Sequence, residues 1–411
     1  MPMSLKEHYR LLLGLDSNWE VLDVELDLKA SRVEIELQHG GGRVECPECG
    51  GTCSIADHAP ARQWRHLDTM QFETILRARV PRSRCKACGV KTTAVPWAGK
   101  HSRFTLMFEA FAIEILKIAA NIEGARKLLR LSWDGAQQIM GRAVSRGLEK
   151  RDLEEVTRVG LDEKSFLRAQ SYVTALNDLD GGRVIEVVEG RTTEDACELL
   201  ESLPSEITGN IEAVAIDMWP AFIKAVRAKL PDADIVFDRF HISKHLNEAV
   251  DKVRKSEHKT LLAEGRDDLS GSKYSLLKSD ENLTESQRSV LETLCGKNLK
   301  TSRAWAIKES FNEYWMSRNA GFAEGVFRDW YSWAIRSRLE PIKKVARMIK
   351  KHLYGLETYF EHWITNAVSE GLNSRIQSLK SAARGFRSFA NYRIRILFFC
   401  GRLDLKPNLC H

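Results

Sequence analysis

Glu370 is an acid set among cations. Between residues 341 and 402 there are twelve Lys and Arg against three acids, and Glu370 is the only acid on the polar face of residues 364–380. At about 100° per residue, Val368, Leu372, Ile376 and Leu379 fall on one side of a helix. Asn366, Glu370, Asn373, Ser374 and Gln377 fall on the other. A carboxylate ringed by Lys and Arg suits metal-dependent phosphodiester chemistry, in which cations hold phosphates and the acid holds the metal. An ordinary surface helix with a solvated charged face shows the same pattern. Two further acids, Asp162 and Asp217, lie in strand-like sequence upstream.

A second kind of chemistry is written in cysteine. Cys46-Pro-Glu-Cys49-Gly50 and Cys85-Lys-Ala-Cys88-Gly89 read as two knuckle turns, with glycine after each second cysteine to let the backbone turn tightly. Four thiolates satisfy tetrahedral zinc and leave no open position, so the site is structural. A redox Cys-x-x-Cys and coincidence are the competing readings. Cys53, His58 and His66 rank below these four as ligands.

The other cysteines, Cys197, Cys295, Cys400 and Cys410, are scattered, unlike a secreted disulfide framework, and point to a reducing, cytoplasmic compartment. The first twenty residues lack the continuous apolar core of a secretory signal, and no run of about 18 apolar residues is present to span a membrane. With 411 residues the chain is long enough for two to four domains. Its net charge is +6, concentrated near the C-terminus, which suits a polyanionic partner.

The elements that would carry these residues follow in order. Residues 20–45 alternate apolar and polar and end in Gly40-Gly41-Gly42, predicting a small antiparallel sheet. Strand-like sequence at 62–64 and 72–80 separates the knuckles. From 104 to about 152 the period becomes helical, with three helices and Ser132 placed to cap the last. These are the proportions of a helix-turn-helix, although any compact helical trio looks similar. Its reading helix would present Gln137, Arg142 and Arg146 to DNA. Strands are predicted at 157–166, 172–176, 184–188, 212–218 and 234–237, with helices at 194–203, 220–230 and 243–254. Three strands followed by alternating helix and strand is the order of the ribonuclease H fold, in which the first and fourth strands are neighbours. Asp162 and Asp217 could then share one pair of ions. Residues 255–355 read as a helical, Trp-rich block whose Trp305, Trp315, Trp330 and Trp333 are most economically core.

Taken together, Asp162 in GLDEKSF, Asp217 in VAIDMWPAF, Asp238-Arg-Phe-His241 and ITNAVSEGLNSRIQSLKSAARGF resemble the insertion-sequence transposases of the ISL-three family. The resemblance runs over nearly the whole chain, including the Cys-x-x-Cys pairs and the helical trio. It implies that Asp162, Asp217 and Glu370 form a DDE triad on a ribonuclease H-like fold, and that the partner is the element's own terminal inverted repeats. Gln377 and Ser381 stand where the family commonly has cations. Asp238 and His241 match a family motif but carry no assigned step. Arg375, Lys380, Arg384 and Arg387 are the candidate phosphate contacts near the last acid.

The implied mechanism uses two Mg²⁺ or Mn²⁺ ions to cleave DNA and join the freed 3′-hydroxyl to a target. Working on two ends calls for at least a homodimer. The expected organisation is a zinc-binding domain at 1–100, a helix-turn-helix domain at 101–155, the first part of the catalytic domain at 156–255, a helical insertion at 256–355 and the second catalytic part at 356–411. The fold class is thus multidomain α+β and α/β. A non-catalytic DNA-binding regulator and a nuclease without joining activity are the alternatives.

Overall fold

The computed structural model describes residues 3–119, 121–167, 171–278, 280–386 and 388–409. The chain divides into two compact units, Met1–Arg151 with Leu403–His411, and Asp152–Arg402.

The first unit holds helix α1 (Leu5–Leu12) and strands β1 (Trp19–Asp27), β2 (Arg32–His39), β3 (Arg43–Glu45), β4 (Thr52–His58), β5 (Arg62–Arg65), β6 (Glu73–Ala78), β7 (Pro81–Cys85) and β8 (Gly89–Thr92). They form two four-stranded sheets, β1-β2-β6-β5 and β3-β4-β7-β8. In β2 the inward positions Val33, Ile35 and Leu37 alternate with polar ones, as a half-buried strand requires. They join Trp19, Trp64 and Trp97, whose rings meet edge to face at 4.6 Å (Trp19–Trp97) and 5.5 Å (Trp64–Trp97). The predicted strands at 62–64 and 72–80 exist, but they belong to this aromatic sheet. The cysteine hairpins form a sheet of their own.

Helices α2 (Leu106–Ile118), α3 (Ile122–Leu128) and α4 (Trp133–Glu149) follow. Each starts where a side chain caps it: Thr105, Asn121 and Ser132 accept from the amides of Phe108, Gly124 and Gly135. Residues 403–409 pack back on α4, where Arg146 donates to the Leu405 carbonyl and Lys150 pairs with Asp404 at 2.9 Å.

Thr105 also bonds His66, with its hydroxyl 2.9 Å from Nδ1. Thr105 Oγ1 also accepts from Phe108 N–H, and its own proton or its second lone pair serves His66 according to the ring's tautomer. Burial and the neighbouring Arg65 charge hold His66 down to about 4. The folded state keeps this ring neutral while the unfolded chain protonates it near 6.5. Stability supplied by the neutral ring is therefore present above pH 6.5 and is lost as pH falls toward 4, by about 3 kcal/mol. Chemical denaturation of the full chain and of His66→Gln at pH 7.5 and 4.5 checks this, because the variant should lose less stability across that interval.

The second unit is built on a five-stranded mixed sheet of β9 (Arg158–Leu167), β10 (Ser171–Asp178), β11 (Arg183–Glu189), β12 (Ala213–Ile216) and β13 (Asp234–Phe237), in the order β11-β10-β9-β12-β13. The first three strands pair antiparallel, while β12 pairs parallel to both β9 and β13. Helices α5 (Thr193–Glu201), α6 (Pro220–Lys229) and α7 (Arg239–Ala263) connect or follow them. The two faces differ. Val159, Leu161, Val214 and Ile216 join the main core with Leu199 and Phe222 of α5 and α6. The alternate residues Ala213, Ala215 and Val236 gather with Ile364 and Val368 on the other face.

From 264 to 353 the described residues contain helices and turns without strands, including α8 (Glu285–Cys295), α9 (Lys300–Ser310), α10 (Ala320–Arg336) and α11 (Glu340–Lys351). Trp315 and Trp330 are core residues, as expected, and Trp330 donates to the Ile307 carbonyl at 2.8 Å. Trp305 is half-buried and Trp333 is partly exposed. Two final helices, α12 (Ala367–Ala382) and α13 (Phe389–Cys400), return to the sheet. No helix among the described residues is long and apolar enough to cross a membrane.

One boundary departs from the sequence reading. Helix α7 begins at Arg239 instead of 243 and runs through 255 to Ala263. Its N-cap is Asp238, whose carboxylate accepts from Phe240 N–H at 3.2 Å.

Candidate functional site

Register explains how distant acids meet. In the parallel pair β9–β12, Gly160 stands opposite Ala215; in β12–β13, Ile216 stands opposite Phe237. Continuing each strand sets Asp162 level with Asp217, and Asp217 level with Asp238, in a row across three neighbouring strands. Gly160 and Asp162 share the face covered by α12, because alternation sends Val159 and Leu161 to the other side.

Helix α12 lies close on that face. A Cβ added at Gly160 would come within 2.7 Å of Ser369 Oγ and 3.2 Å of Asn366 Oδ1, so glycine there admits the helix. One turn further on, Asn373 Nδ2 donates to Asp162 Oδ2, and Lys380 Nζ donates to the Ser165 carbonyl at 2.8 Å. Asn373 is only 7% exposed. It was expected on the polar side of the helix, and was not among the candidate residues. The edge of α12 turned to β9 is in fact small and polar, with Asn366, Ser369 and Asn373 buried. Leu372 and Ile376 are buried beside it. The spacing of Asn373 three residues after Glu370 was the available signal, since residues i and i+3 share a face.

Electrostatics mark the cluster. Burial, then the Asp217 charge, pushes the Asp162 carboxyl up to about 7. Burial likewise raises Asp217. His241, in the first turn of α7, reaches both neighbours, with Nδ1 2.8 Å from Asp238 Oδ2 and Nε2 3.3 Å from Asp217 Oδ2. Two carboxylate partners call for the doubly protonated ring, and the Asp238 hydrogen bond holds its pKa above the ordinary value. Asp238 thus caps α7 and positions His241.

Glu370 sits in the first turn of α12, where the helix dipole favours an acid. It is exposed, and its pKa is raised by partial burial and by Asp238. Its carboxylate does not converge tightly on the other two acids. Among the described residues, the sets of three or more ligand side chains with donor atoms all within 4.8 Å of one another are the four cysteines and Asp234, Glu361 and His362. Asp162 and Asp217 already repel one another, and a third carboxylate gains nothing by closing on them without a cation. Half-buried carboxyls held close against mutual repulsion are a donor set suited to divalent cations.

The cysteine site is tighter. Cys46–Cys49 occupies the β3–β4 turn and Cys85–Cys88 the β7–β8 turn, and the β4–β7 pairing brings the two hairpins side by side. Gly50 and Gly89 have φ of +70° and +74°, which only glycine adopts without strain. Cys49 and Cys85 sulfurs lie 3.7 Å apart, the spacing expected for tetrahedral ligands at about 2.3 Å from zinc. The Cys88 and Ala87 amides hold the Cys85 thiol down to about 6. Cys88, bonded to Cys49 and crowded by the other sulfurs, is pushed up to about 12. Four thiols this close cannot all ionise without a cation between them. Cys53 is buried and donates to the Gly51 carbonyl, outside the cluster.

The helical trio gives its arginines an inward task. Arg142 Nη2 lies 2.6 Å and Arg146 Nη2 3.6 Å from Glu109, a carboxylate only 1% exposed. Both had been expected to reach DNA; the buried acid takes them because an unpaired charge there would be costly. Gln137 is half-buried. The exposed side chains at the start of α4 are Trp133, Asp134 and Gln138. Of the C-terminal cations, Arg375 and Arg384 are exposed, Lys380 is engaged with β9, and Arg387 lies outside the described residues.

Comparison with known proteins follows the same division. Residues 42–88 match the zinc finger of transposases IS204/IS1001/IS1096/IS1165, and residues 93–144 the helix-turn-helix domain of transposase family ISL3. The chain is 28% identical over 411 residues to the transposase for insertion sequence element IS1557 of Mycobacterium tuberculosis, covering 92% of each protein. It is 25% identical over 357 residues to the transposase for IS1001 of Bordetella parapertussis, covering 85% of this chain and 87% of that one. The ISL3 DDE transposase family matches residues 159–396, the span that sets Asp162, Asp217 and α12 on one sheet face, and the chain belongs to this family of transposases.

Proposed function

We propose that Asp162, Asp217 and Glu370 together hold the divalent ions, Mg²⁺ or Mn²⁺, with which this transposase cleaves the ends of its insertion sequence and joins them to target DNA. The observation that carries this is the Asn373–Asp162 hydrogen bond, which seats α12 on β9 with Glu370 one helical turn before Asn373. When bound, the ions supply Lewis acidity to a phosphodiester and its nucleophile. The protein's own residues do the rest. Asn373 orients the Asp162 carboxylate and leaves its other oxygen bonded to the Glu163 amide. His241 orients Asp217 and balances its charge. Arg375 and Arg384 meet phosphates.

In this reading the zinc-binding segment 1–100 and helix-turn-helix segment 101–155 recognise the inverted repeats. Segments 156–255 and 356–411 form the catalytic fold around the helical insertion 256–355. The packing of residues 403–409 on α4 supports moving that tail to the DNA-binding half. Two ends require at least a dimer, acting on the bacterial nucleoid in the cytoplasm.

The test is a strand-transfer assay with the full chain and linear duplexes ending in the repeats of its own element. Cleavage and joining should require Mg²⁺ or Mn²⁺. End binding with no cleavage in either metal would instead leave a DNA-binding regulator, and cleavage without joining a nuclease.

A further inference from the structure

Two strands of the sheet end in an acid followed at the second residue by an exposed aromatic. Asp217 is followed by Trp219, 42% exposed, and Asp238 by Phe240, 57% exposed. Single exposed rings are ordinary on a protein surface, but these two stand beside the acid cluster.

Trp219 is also braced. The Arg191 guanidinium lies 3.8 Å from the Tyr172 ring centre and 5.4 Å from that of Trp219. Arg191 Nη1 is 3.1 Å from Glu163 Oε1, on the residue next to Asp162. The indole N–H donates to the Arg191 carbonyl at 3.4 Å. A cation stacked between two rings fixes the indole's orientation, yet nearly half of its surface stays open. Its brace is anchored to the strand that carries the first acid.

DNA supplies rings of matching size, but a paired base hides both faces in the duplex stack. An aromatic at the cutting site can stack only on a base that has left it. We infer that Trp219, braced by Arg191, is a stacking platform for an unpaired base beside the phosphate that is cut. This rests on Asp162, Asp217 and Glu370 being the metal-holding acids, and it adds that the enzyme opens the duplex at the cleavage boundary.

The probe is a duplex carrying the element's own end, with thymines across the boundary, bound by the full chain without Mg²⁺ or Mn²⁺. Permanganate, which oxidises unstacked thymine, should mark the boundary with the unmodified chain and not with Trp219→Ala. With Mg²⁺ added, Trp219→Ala should cleave paired ends at least about threefold more slowly, a base–aromatic stack being sufficient for tenfold or more. A mismatch placed at the boundary should repair most of that loss. Trp219→Phe should behave as the unmodified chain and Trp219→Leu as the alanine variant, and these two decide the matter if alanine impairs folding. A smaller loss, an equal loss on paired and mismatched ends, or unchanged permanganate reactivity overturns the platform. Asp217→Asn separates the two readings. If it cleaves either duplex, the acid assignment fails; if it is inactive on both while Trp219→Ala is normal, only the platform falls.

Discussion

Asp162→Asn should cut strand transfer by about a thousandfold or more, because losing one charged ligand removes several kcal/mol of transition-state stabilisation. Binding to the element's end should stay within about twofold, since the amide has the same shape and phosphate contacts do not run through an acid. Stability should change little, because the amide keeps one acceptor oxygen for the two bonds that Asp162 takes from Asn373 and the Glu163 amide, and this loss is set against a gain. The carboxyl is pushed up to about 7 by burial and by Asp217, so a neutral side chain relieves a repulsion in the metal-free protein. Function and stability thus move apart, as they do where a site stores unfavourable charge. Parallel measurement of melting temperature, end binding and joining checks this, and equal loss of all three would mean that Asp162 is structural. Glu370→Gln should show the same loss of joining with little change in melting temperature, being exposed.

Stripping zinc should have the largest effect on folding. Cys46, Cys49, Cys85 and Cys88 tie two hairpins whose strands are three to seven residues long and which carry few buried apolar side chains besides Val44 and Cys53. Without the ion their sulfurs repel, and metal affinity in such modules, on the order of 10 kcal/mol, is folding free energy. Chelation, or Cys49→Ser, should unfold residues 43–92 as read by hydrogen exchange and weaken end binding. The sheet of the second unit should keep its protection. The purified chain should contain one zinc per protomer; unchanged exchange after exhaustive chelation would contradict a structural ion.

Much of this was legible in the sequence because it depends on local chemistry. Gly50 and Gly89 announce tight turns, Ser132 announces a helix start, and the alternation around Asp162 gives its face. What was not legible depends on neighbours distant in sequence. Arg142 and Arg146 look like DNA contacts on an isolated helix; only the position of Glu109, 33 residues before Arg142, turns them inward. Asn373 is one of several polar residues on a helical wheel drawn from hydrophobicity, and nothing there singles it out as the one bonded to Asp162. The small residues Gly160, Ala213 and Ala215 let α12 approach so closely that its polar edge becomes the buried one. Asp238 was legible as part of a motif but not as a helix cap, because the apolar period of α7 becomes regular only from Ile242 onward.

Anomalous scattering from Mn²⁺ in crystals of the full chain bound to its element end reads out whether Asp162, Asp217 and Glu370 hold the same ions. Manganese should lie between those three carboxylates, with Glu370 drawn in from its exposed position. Manganese bound without Glu370, or held instead by the Asp234, Glu361 and His362 cluster while the three acids stay empty, would contradict it.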